Sequence, residues 1–555
     1  MSLHSPLKPI GRWRPGQSPP EPFAAGLARS LLNVTRPIYV VRDPEGPCLS
    51  QEGAAQIGAP AEASGGELPL LAYVPPLHPD ALGDAGFKAR CGLRYAYVVG
   101  EMANGITSVE MVRAAGRAGM LGFFGAAGLL PAEVEEAIAR LQAERPAVAF
   151  GVNLIHSPGN LELESALVEL FLRRQVRMAS ASAFVDLTWP LVYYRVKGIH
   201  RDANGRIACP NRLVAKASRV EVARKFLSPP PEKILARLVE RGLVTAEEAG
   251  LAAAVPMVDD LTAEADSGGH TDNRPAITLL PTMQALRDET AAAHGLAAHP
   301  SIGLGGGIAT PAATAAAFAM GAAYVVTGSI NQACVEAGTS RAVGDMLAEA
   351  GQADVAMAPS ADMFELGVKV QVLKRGTMFP HRAAKLYELY AAHESFDQIP
   401  PRQREIIERD ILRRRFDQEW EHTREFFRMR DPKQIERAER DPKHKMALVF
   451  RSYLGQSSSW AIAGEPSRRL DYQIWCGPAM GAFNQWTKGS FLAKAENRRT
   501  VTVALNLLLG AAVAARAAWL QGQGIALPPK AGAMAPMELS EVLNHLGEGP
   551  SQSKP

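Results

Sequence analysis

Between residues 95 and 327, short apolar runs alternate with helical patterns, and this alternation restricts the fold more than any other feature of the chain. Helical patterns occupy 108–118, 131–141 and 161–173, each between two apolar runs. Eight runs predict strands, at 95–99, 120–124, 147–154, 178–182, 213–217, 257–263, 301–304 and 323–327. A stretch of this length predicts an α/β fold, namely a closed (β/α)8 barrel of the TIM type. An open, doubly wound parallel sheet is the alternative.

The alternating stretch also suggests how the 555 residues divide into domains. The predicted barrel domain covers residues 91–375. Residues 1–90 before it are rich in Pro and Gly and predict a small, irregular N-terminal module with short strands. After it, strand signals nearly disappear, and residues 376–527 predict a helical C-terminal domain. The Gly-, Pro- and Ser-rich residues 528–555 predict a flexible tail.

Composition and charge exclude several classes of function. The formal net charge is only +3, which gives no overall signal for nucleic acid or a membrane surface as a partner. The five cysteines are widely spaced without a CxxC pair, and no HExxH pattern occurs, so we expect neither a disulfide framework nor a metal site. The first residues lack the apolar core of a secretory signal. The longest apolar stretch, 501–515, is shorter than the roughly 18 residues of a membrane span. We therefore expect a buried helix there and a cytoplasmic protein.

The segment Ala-Asp-Ser-Gly-Gly-His at 265–270 places two glycines and a histidine at the end of a predicted strand. Gly268 and Gly269 would let the backbone approach a flat or phosphorylated ligand. His270 can donate or accept a proton near neutral pH. Because a (β/α)8 barrel keeps its active site at such strand ends, we take His270 as the candidate catalytic residue. A tight turn with a hydrogen-bonded surface histidine is the alternative.

Two glycine-rich turns follow the last two predicted strands, at 302–308 and 325–329. Glycine amides and a helix N-terminus together form an anion site, and barrels place a phosphate site after strands seven and eight. The first turn is not a dinucleotide fingerprint, because Ile308 stands where GxGxxG needs its last Gly or Ala. The turns therefore predict a phosphate site, with ordinary loop glycines as the alternative.

Three further strand ends carry small or polar residues. The small residues of 100–105 would allow the backbone to lie against a planar ring. Asn153 offers both a donor and an acceptor. Lys216 lies in an apolar strand and needs an anion or an acceptor there, although a structural salt bridge would serve equally well. Together with the phosphate turns, these residues favour a phosphorylated planar cofactor, with flavin mononucleotide (FMN) as the leading candidate.

Four segments, 97–106, 119–125, 264–275 and 471–484, resemble the PfaD-type enoyl reductases. These are trans-acting enzymes of bacterial polyketide and polyunsaturated fatty acid synthases. The resemblance runs from about residue 90 to 525 and extends to the wider group of nitronate monooxygenases and FabK-type flavin enoyl reductases. It implies a flavin-binding barrel in which His270 lies at the substrate face of the ring. It further implies flavin contacts from Met102, Ala103, Asn153, Lys216, Gly268 and Gly269, and phosphate contacts from Gly306, Gly307, Gly328 and Ser329.

The function that this resemblance implies is reduction of a 2-enoyl thioester bound to an acyl carrier protein domain of such a synthase. NADPH would supply the hydride through FMN, and His270 would polarise the thioester carbonyl or pass the proton. Residues 402–445 hold 14 Lys and Arg against 11 Asp and Glu, which suggests a docking face for an acidic carrier protein, with an ordinary solvated helix face as the alternative. The alternatives are an FMN oxygenase similar to nitronate monooxygenases, and a non-catalytic scaffold of the synthase.

Overall fold

The computed structural model describes residues 7–58, 66–157 and 160–548. In chain order its strands are β1 (Gly11–Arg14), β2 (Glu21–Pro22), β3 (Ile38–Asp43), β4 (Gly46–Ser50), β5 (Ala54–Ile57), β6 (Leu68–Val74), β7 (Tyr97–Val99), β8 (Leu121–Phe124), β9 (Phe150–Ile155), β10 (Met178–Ser182), β11 (His200–Arg201), β12 (Ile207–Ala208), β13 (Arg212–Ala217), β14 (Asp260–Glu264), β15 (Gly269–His270), β16 (Ser301–Gly305), β17 (Val325–Thr327), β18 (Val355–Pro359) and β19 (Lys369–Leu373).

Helices surround the strands and also make up most of the chain after residue 378. They are α1 (Phe23–Leu32), α2 (Ala85–Cys91), α3 (Val109–Arg117), α4 (Pro131–Gln142), α5 (Leu161–Arg173), α6 (Trp189–Val196), α7 (Val220–Leu227), α8 (Glu232–Glu240), α9 (Ala246–Ala252), α10 (Ala276–His294), α11 (Pro311–Ala319), α12 (Ser329–Gln332), α13 (Arg341–Ala348), α14 (Phe379–Ala392), α15 (Pro401–Ile406), α16 (Phe416–Arg430), α17 (Pro432–Arg440), α18 (Pro442–Ala463), α19 (Ala479–Thr487), α20 (Thr500–Gly522) and α21 (Leu539–His545). A π-helical turn, Ile407–Leu412, joins α15 to the segment before α16.

A closed parallel barrel forms the centre of the molecule. Its strands follow one another as β7, β8, β9, β10, β13, β14, β16 and β17, and β17 pairs with β7 to close the ring. Each of the eight segments predicted as strands overlaps one strand of this barrel. The prediction of a (β/α)8 barrel is therefore confirmed, and the open sheet is excluded. The strands read as short apolar runs because both of their faces are covered, one by the barrel interior and the other by helices.

Helix starts around the barrel follow from local sequence signals. Pro131 and Pro311 occupy the first position of α4 and α11, where a missing amide hydrogen costs nothing and the fixed backbone angle suits a helix. The side chain of Thr310 accepts a hydrogen bond from the amide of Ala313 and so caps α11. These signals fix where the turns after β8 and β16 end, and therefore how those turns face the barrel mouth.

The last long helix, α20, lies between α11 and α3, the helices that follow β16 and β7. This is the place of the eighth helix of a barrel, so residues between β17 and α20 form an insertion into the barrel. Helix α20 lies within the predicted helical segment 376–527, but its side chains belong to the same core cluster as those of the barrel. Among the described residues, α20 alone is long and apolar enough to cross a membrane, but 78% of its most apolar window is buried inside the structure. The apolar run at 501–515 is thus a buried helix.

The insertion has its own core and its own small sheet. Strands β18 and β19 form an antiparallel hairpin, and β15, which follows β14 of the barrel, pairs antiparallel with β19. Helices α14, α16 and α18 pack around a second cluster of buried residues that includes Phe379, Leu386, Phe416 and Phe450. Because β15 contains His270, this sheet fixes the insertion directly onto the predicted catalytic residue.

The N-terminal residues are more regular than the sequence predicts. Strands β1 to β6 form one six-stranded sheet, in the order β2-β4-β3-β6-β1-β5, whose pairings are antiparallel. The sequence predicts short strands in this module, and β3 and β6 are among them, but β1, β2, β4 and β5 have only two to five residues each, which is too short for a clear signal. The predicted flexible tail is also wrong for residues 528–548, because α21 packs on α20 and buries Val542 and Leu546 in the main core.

Candidate functional site

The predicted site residues all lie toward the carboxyl-terminal ends of barrel strands, which meet at one mouth of the barrel. Met102 and Ala103 follow β7, Asn153 lies in β9, Lys216 lies in β13, Gly268, Gly269 and His270 follow β14, Gly306 and Gly307 follow β16, and Gly328 and Ser329 follow β17. The barrel therefore brings together residues that are more than two hundred positions apart in the chain. Their contacts with any cofactor remain predictions.

A chain of polar contacts crosses the barrel mouth. The Nδ2 atom of Asn153 donates to the carbonyl oxygen of Ser180 at 3.3 Å, and the Ser180 hydroxyl donates to Oε1 of Glu101 at 2.7 Å. The Nζ atom of Lys216 lies 3.1 Å from Oε1 of Glu101 and 3.2 Å from Oε1 of Glu264. Asn153, which is buried, and Lys216 thus belong to one network, whose carboxylates come from the ends of β7 and β14.

The two carboxylates set the charge of Lys216. Burial by itself lowers the pKa of this amine, but the nearby charges of Glu101 and Glu264 outweigh burial and raise its pKa above the ordinary value. Lys216 is therefore a fixed cation, and the sequence alternative of a salt-bridged lysine describes its protein contacts. A cavity of about 10 Å³ adjoins the network and is lined by Glu101, Ser180, Lys216, Thr262 and apolar residues. That is room for about one water molecule.

The glycine turns after β16 and β17 face open space. A Cβ atom added to Gly307 or Gly328 would meet no protein atom within 4 Å. The amides of Gly307 and Ser329 donate to no acceptor within the described part of the chain. Unpaired amides that converge on open space can hold an anion, so the turns fit the phosphate of a cofactor such as FMN.

Gly306 has a different role from Gly307. Its backbone has φ +87°, and an added Cβ would lie 2.7 Å from the backbone of Ala265. Gly306 therefore allows the turn after β16 to touch the segment after β14. This close approach joins the predicted phosphate turn to the segment that leads to His270.

The Ser-Gly-Gly-His segment is held by residues of the insertion. A Cβ added to Gly268 would lie 2.9 Å from the backbone nitrogen of Cys476, so only glycine permits this approach. The amide of Gly477 donates to the hydroxyl of Ser329 at 3.1 Å, and this contact links the same loop to the second glycine turn. The segment 471–484, which carries part of the family resemblance, is therefore a wall of the candidate site.

Asp266 orders this segment through side-chain amides. Its Oδ1 atom accepts from Nδ2 of Asn273 and from Nε2 of Gln371, each at 2.8 Å. Gln371 lies on β19, opposite Gly269 in the β15–β19 pair. The carboxylate of Asp266 thus fixes the loop that presents His270.

His270 faces a carboxylate from the insertion. Its Nε2 atom is buried and lies 3.3 Å from Oδ2 of Asp362, in the loop between β18 and β19. Burial alone would lower the pKa of His270, but Asp362 outweighs burial and raises it above the ordinary value. Burial would likewise raise the pKa of Asp362, but its pairing with His270 lowers it to about 2. The carboxylate of Asp362 therefore favours the protonated form of His270.

Four polar residues of the site were not predicted from the sequence: Glu101, Ser180, Glu264 and Asp362. Glu101 and Glu264 stand at the ends of predicted strands, and the need of Lys216 for an anion is the signal that could have found them. Asp362 has no such signal, because it reaches His270 only through the pairing of β15 with β19. Within the described residues, no group of three or more His, Cys, Asp or Glu side chains is arranged to hold a metal ion.

Comparison with known proteins gives three close relatives. The enoyl reductase domain of MlnA, from the macrolactin biosynthesis cluster of Bacillus amyloliquefaciens, has a crystal structure that matches with a TM-score of 0.74 and 39% sequence identity. The match covers 80% of this chain and 99% of that domain. One of the polyunsaturated fatty acid synthase subunits of Thraustochytrium sp. is 43% identical over 511 residues, which are 89% of this chain and 33% of the relative. Polyketide biosynthesis protein PksE of Bacillus subtilis is 46% identical over 435 residues, which are 78% of this chain and 56% of the relative.

The near-complete match to the MlnA domain decides the family. This chain belongs to the PfaD-type enoyl reductases. The chain spans about a third to a half of the length of the Thraustochytrium and Bacillus subtilis relatives, which therefore contain further segments. A family model described as the inserted helical domain of [acyl-carrier-protein] S-malonyltransferase matches residues 393–472. In this PfaD-type chain, that match covers α15 to α18 of the insertion.

Proposed function

We propose that this chain is an enoyl reductase that uses FMN and NADPH to reduce 2-enoyl thioesters bound to acyl carrier protein. The observation that carries the proposal is the pairing of His270 with Asp362 at the same barrel mouth as two open glycine turns. The glycine turns fit an anion, and His270 can offer a proton. This combination suits a phosphorylated redox cofactor placed beside a substrate that must be protonated.

The residues present would hold FMN at both of its ends. Amides of Gly307, Gly328 and Ser329 would bind its phosphate, and Met102, Ala103, Asn153 and Lys216 would contact the ring. Bound FMN would supply the redox chemistry, taking a hydride from NADPH and giving it to the β-carbon of the substrate. The chain itself would orient the ring and the substrate.

His270 would act on the thioester. A hydride added at the β-carbon leaves negative charge on the α-carbon and the carbonyl oxygen, so the reaction needs a positive or proton-donating group there. A protonated His270 can first hydrogen-bond the carbonyl oxygen and then deliver its proton to the α-carbon. The imidazole left behind is neutral and is reprotonated from solvent, which restores the ion pair with Asp362.

The proposed partner is an acyl carrier protein domain of a polyketide or polyunsaturated fatty acid synthase. Two observations support it: relatives that are named as parts of such synthases, and a family model of a carrier-protein transferase that matches the insertion. The insertion borders the site directly, through Asp362 and through the loop at Cys476 and Gly477. A carrier that docks on the insertion would thus lie next to His270.

The test separates the two half-reactions without oxygen. The purified protein is loaded with FMN, reduced with NADPH in a stopped-flow instrument, and then mixed with a 2-enoyl thioester on carrier protein. Bleaching of the flavin followed by thioester-dependent reoxidation is expected. Reoxidation by oxygen and an alkyl nitronate, but not by the thioester, would indicate an oxygenase instead. A protein that retains no flavin would indicate a scaffold.

His270→Ala sharpens this test. Flavin reduction by NADPH should change little, because that hydride transfer needs no acid from the protein. Reoxidation by the enoyl thioester should slow by roughly 10²–10⁴-fold, the range for the loss of a positioned acid–base group. His294→Ala is the matched control, because His294 lies on α10, the helix that follows the same loop. A slower flavin reduction with normal thioester reduction would show that His270 serves the nicotinamide.

A further inference from the structure

Asp362 reaches the barrel site from outside the barrel. It lies in the loop between β18 and β19, and its Oδ2 atom is 3.3 Å from Nε2 of His270. Nε2 is buried and makes no hydrogen bond, so its contact with Asp362 is an ion pair, and the opposite ring nitrogen, Nδ1, has no partner among the described residues. One nitrogen of His270 is thus covered by a carboxylate and the other is left for a ligand.

We propose that Asp362 is the positioning residue for His270, which fixes the ring through Nε2 and so makes Nδ1 the proton donor to the substrate. This inference rests on the proposed function, because it names the residue that orients the proposed acid. It assigns a role to the insertion beyond carrier docking. Without the β18–β19 loop, the barrel would present a histidine with no fixed orientation.

The backbone around Asp362 is held on both sides. The Nε atom of Arg451, on α18, donates to the carbonyl oxygen of Ala361 at 2.8 Å. The amide of Ser360 donates to the carbonyl oxygen of Val368 at 2.9 Å, which closes the base of the loop. Phe364 is fully buried against the rings of Tyr387 and Tyr390. A carboxylate mounted on such a segment can hold a ring in one orientation.

His270 is held just as firmly on the other side of the pair. It lies opposite Val370 on β19, and its neighbour Gly269 lies opposite Gln371. Gln371 also donates to the carbonyl oxygen of Ser267 and to Asp266, so the loop before His270 cannot shift alone. His270 therefore lies in this small sheet, and Asp362 lies in the loop that joins two of its strands.

Other charged groups around the pair are also fixed. Glu264 and Lys216 act on His270 from the barrel side with opposite signs, and they pair with each other at 3.2 Å. Arg451 lies beside Asp362 on the insertion side, but its NH1 atom faces Glu365 at 3.5 Å. Asp362 is thus the group whose removal changes the charge on His270 most directly.

Loss of this carboxylate should act on the proton rather than on the hydride. In Asp362→Asn the imidazolium loses its counter-charge, so the pKa of His270 should fall. As the pH rises, the protonated fraction of His270 should therefore fall at a lower pH in the variant than in the wild type. Enoyl thioester reduction should slow by roughly 10²-fold at pH 8, the lower end of the range for a lost acid–base group, and by less at pH 6. Flavin reduction by NADPH should stay unchanged.

The experiment uses the full chain and compares the wild type with Asp362→Asn, Asp362→Glu and Glu365→Gln. Glu365 is the matched control, because it lies three residues away and binds His444 and Arg451 instead of His270. The titration of His270 is followed by NMR on protein with labelled histidine, with the signal assigned by its loss in His270→Gln. The pH profile of thioester-dependent flavin reoxidation is measured for each variant in parallel.

The expected result is a lower titration midpoint of His270 and a pH-dependent rate loss in Asp362→Asn only, with partial recovery in Asp362→Glu. An unchanged titration and pH profile in Asp362→Asn would overturn the proposal. So would equal, pH-independent losses in Asp362→Asn and Glu365→Gln, which would show that the loop is only structural. If the wild type does not react with enoyl thioesters at all, the proposed function fails, and the NMR titration still decides whether Asp362 fixes His270.

Discussion

Lys216 is the residue whose burial most needs an explanation, because its strand is otherwise apolar on both sides. A buried amine costs several kcal/mol unless its charge is paired, and Glu101 and Glu264 pair it from two neighbouring strand ends. One lysine between two glutamates leaves a local excess of one negative charge. The site therefore holds its anionic phosphate, in our proposal, at the glycine turns rather than at Lys216.

Removal of the Lys216 amine should destabilise the folded protein. Lys216→Met would leave Glu101 and Glu264 buried beside each other without a cation, and we expect a loss of about 3–5 kcal/mol in the free energy of unfolding. Urea unfolding followed by circular dichroism measures it. Lys233→Met, on the outer helix α8, is the control and should unfold almost like the wild type. A loss below about 1 kcal/mol at Lys216 would mean that water, not the lysine, balances the two carboxylates.

Gly328→Asp should remove flavin binding without harming the fold. The backbone of Gly328 has an ordinary negative φ and an added side chain meets open space, so the carboxylate would face the proposed phosphate. Gly306 cannot serve this test, since any side chain there would collide with Ala265. Flavin content is read from the visible spectrum after purification. Gly250→Asp, an exposed glycine of α9 with equally open space, is the control, and full flavin content in Gly328→Asp would refute the phosphate assignment.

Helix α20 joins three parts of the molecule. It closes the helical ring of the barrel, supports α21, and carries Arg516, which is fully buried without a carboxylate partner among the described residues. The guanidinium donates to the carbonyl oxygens of Ser30, Asn33 and Arg36 at the end of α1. Burial lowers the pKa of Arg516 to about 10, which still leaves it charged at neutral pH.

Arg516→Met should loosen the N-terminal sheet from the barrel. Three carbonyl groups would lose a charged donor, and we expect a loss of about 2–4 kcal/mol in the free energy of unfolding. Hydrogen exchange followed by mass spectrometry should show faster exchange in α1 and β3, with little change in the barrel strands. Arg499→Met, an exposed residue just before the same helix, is the control. Unchanged exchange in α1 would show that apolar contacts alone hold the sheet.

The elements that could be predicted from the sequence are those whose signals are local. All eight barrel strands have apolar runs that stand out from their neighbours, and Pro131 and Pro311 mark helix starts without any tertiary contact. Strand β15 has only two residues, and its pairing with β19 depends on a contact across about a hundred positions. For the same reason the apolar run of α20 predicts a buried helix, whereas its place as the eighth helix of the barrel depends on packing against α11 and α3.

In the candidate site, too, local signals could be predicted from the sequence and contacts between distant parts of the chain could not. His270 and the glycine turns could be predicted, because residue type and position at a strand end already indicate their chemistry. The partners of Lys216 and His270 could not, because Glu101, Glu264 and Asp362 reach them from other elements. Long-range pairing therefore decides which protonation states and orientations the predicted residues adopt.

At the scale of the whole molecule, the insertion is both a wall of the site and the candidate docking face. Its basic residues do not all stand free for a partner. Arg413 pairs with the fully buried Asp471 at 3.3 Å, and Arg414 pairs with Glu419, which is also buried. Charge reversal at these two arginines would break ion pairs with buried carboxylates and should destabilise the insertion. A docking test must use other residues.

Arg402 and Arg415 meet that need, because both are exposed and neither side chain has a partner among the described residues. They stand at the starts of α15 and α16, within the segment that matches the carrier-protein transferase insertion. Acidic carrier proteins are steered by exposed positive charge, so the double variant Arg402→Glu/Arg415→Glu should raise the KM for carrier-bound substrate about tenfold at low salt. The kcat and the rate with a short free enoyl thioester should hardly change, because His270 and the glycine turns are untouched.

Arg206→Glu, which reverses the charge of an exposed residue on the barrel side, is the control for net charge. Equal losses with both substrates would indicate damage to the fold, and an unchanged KM for the carrier would place the docking face away from α15 and α16.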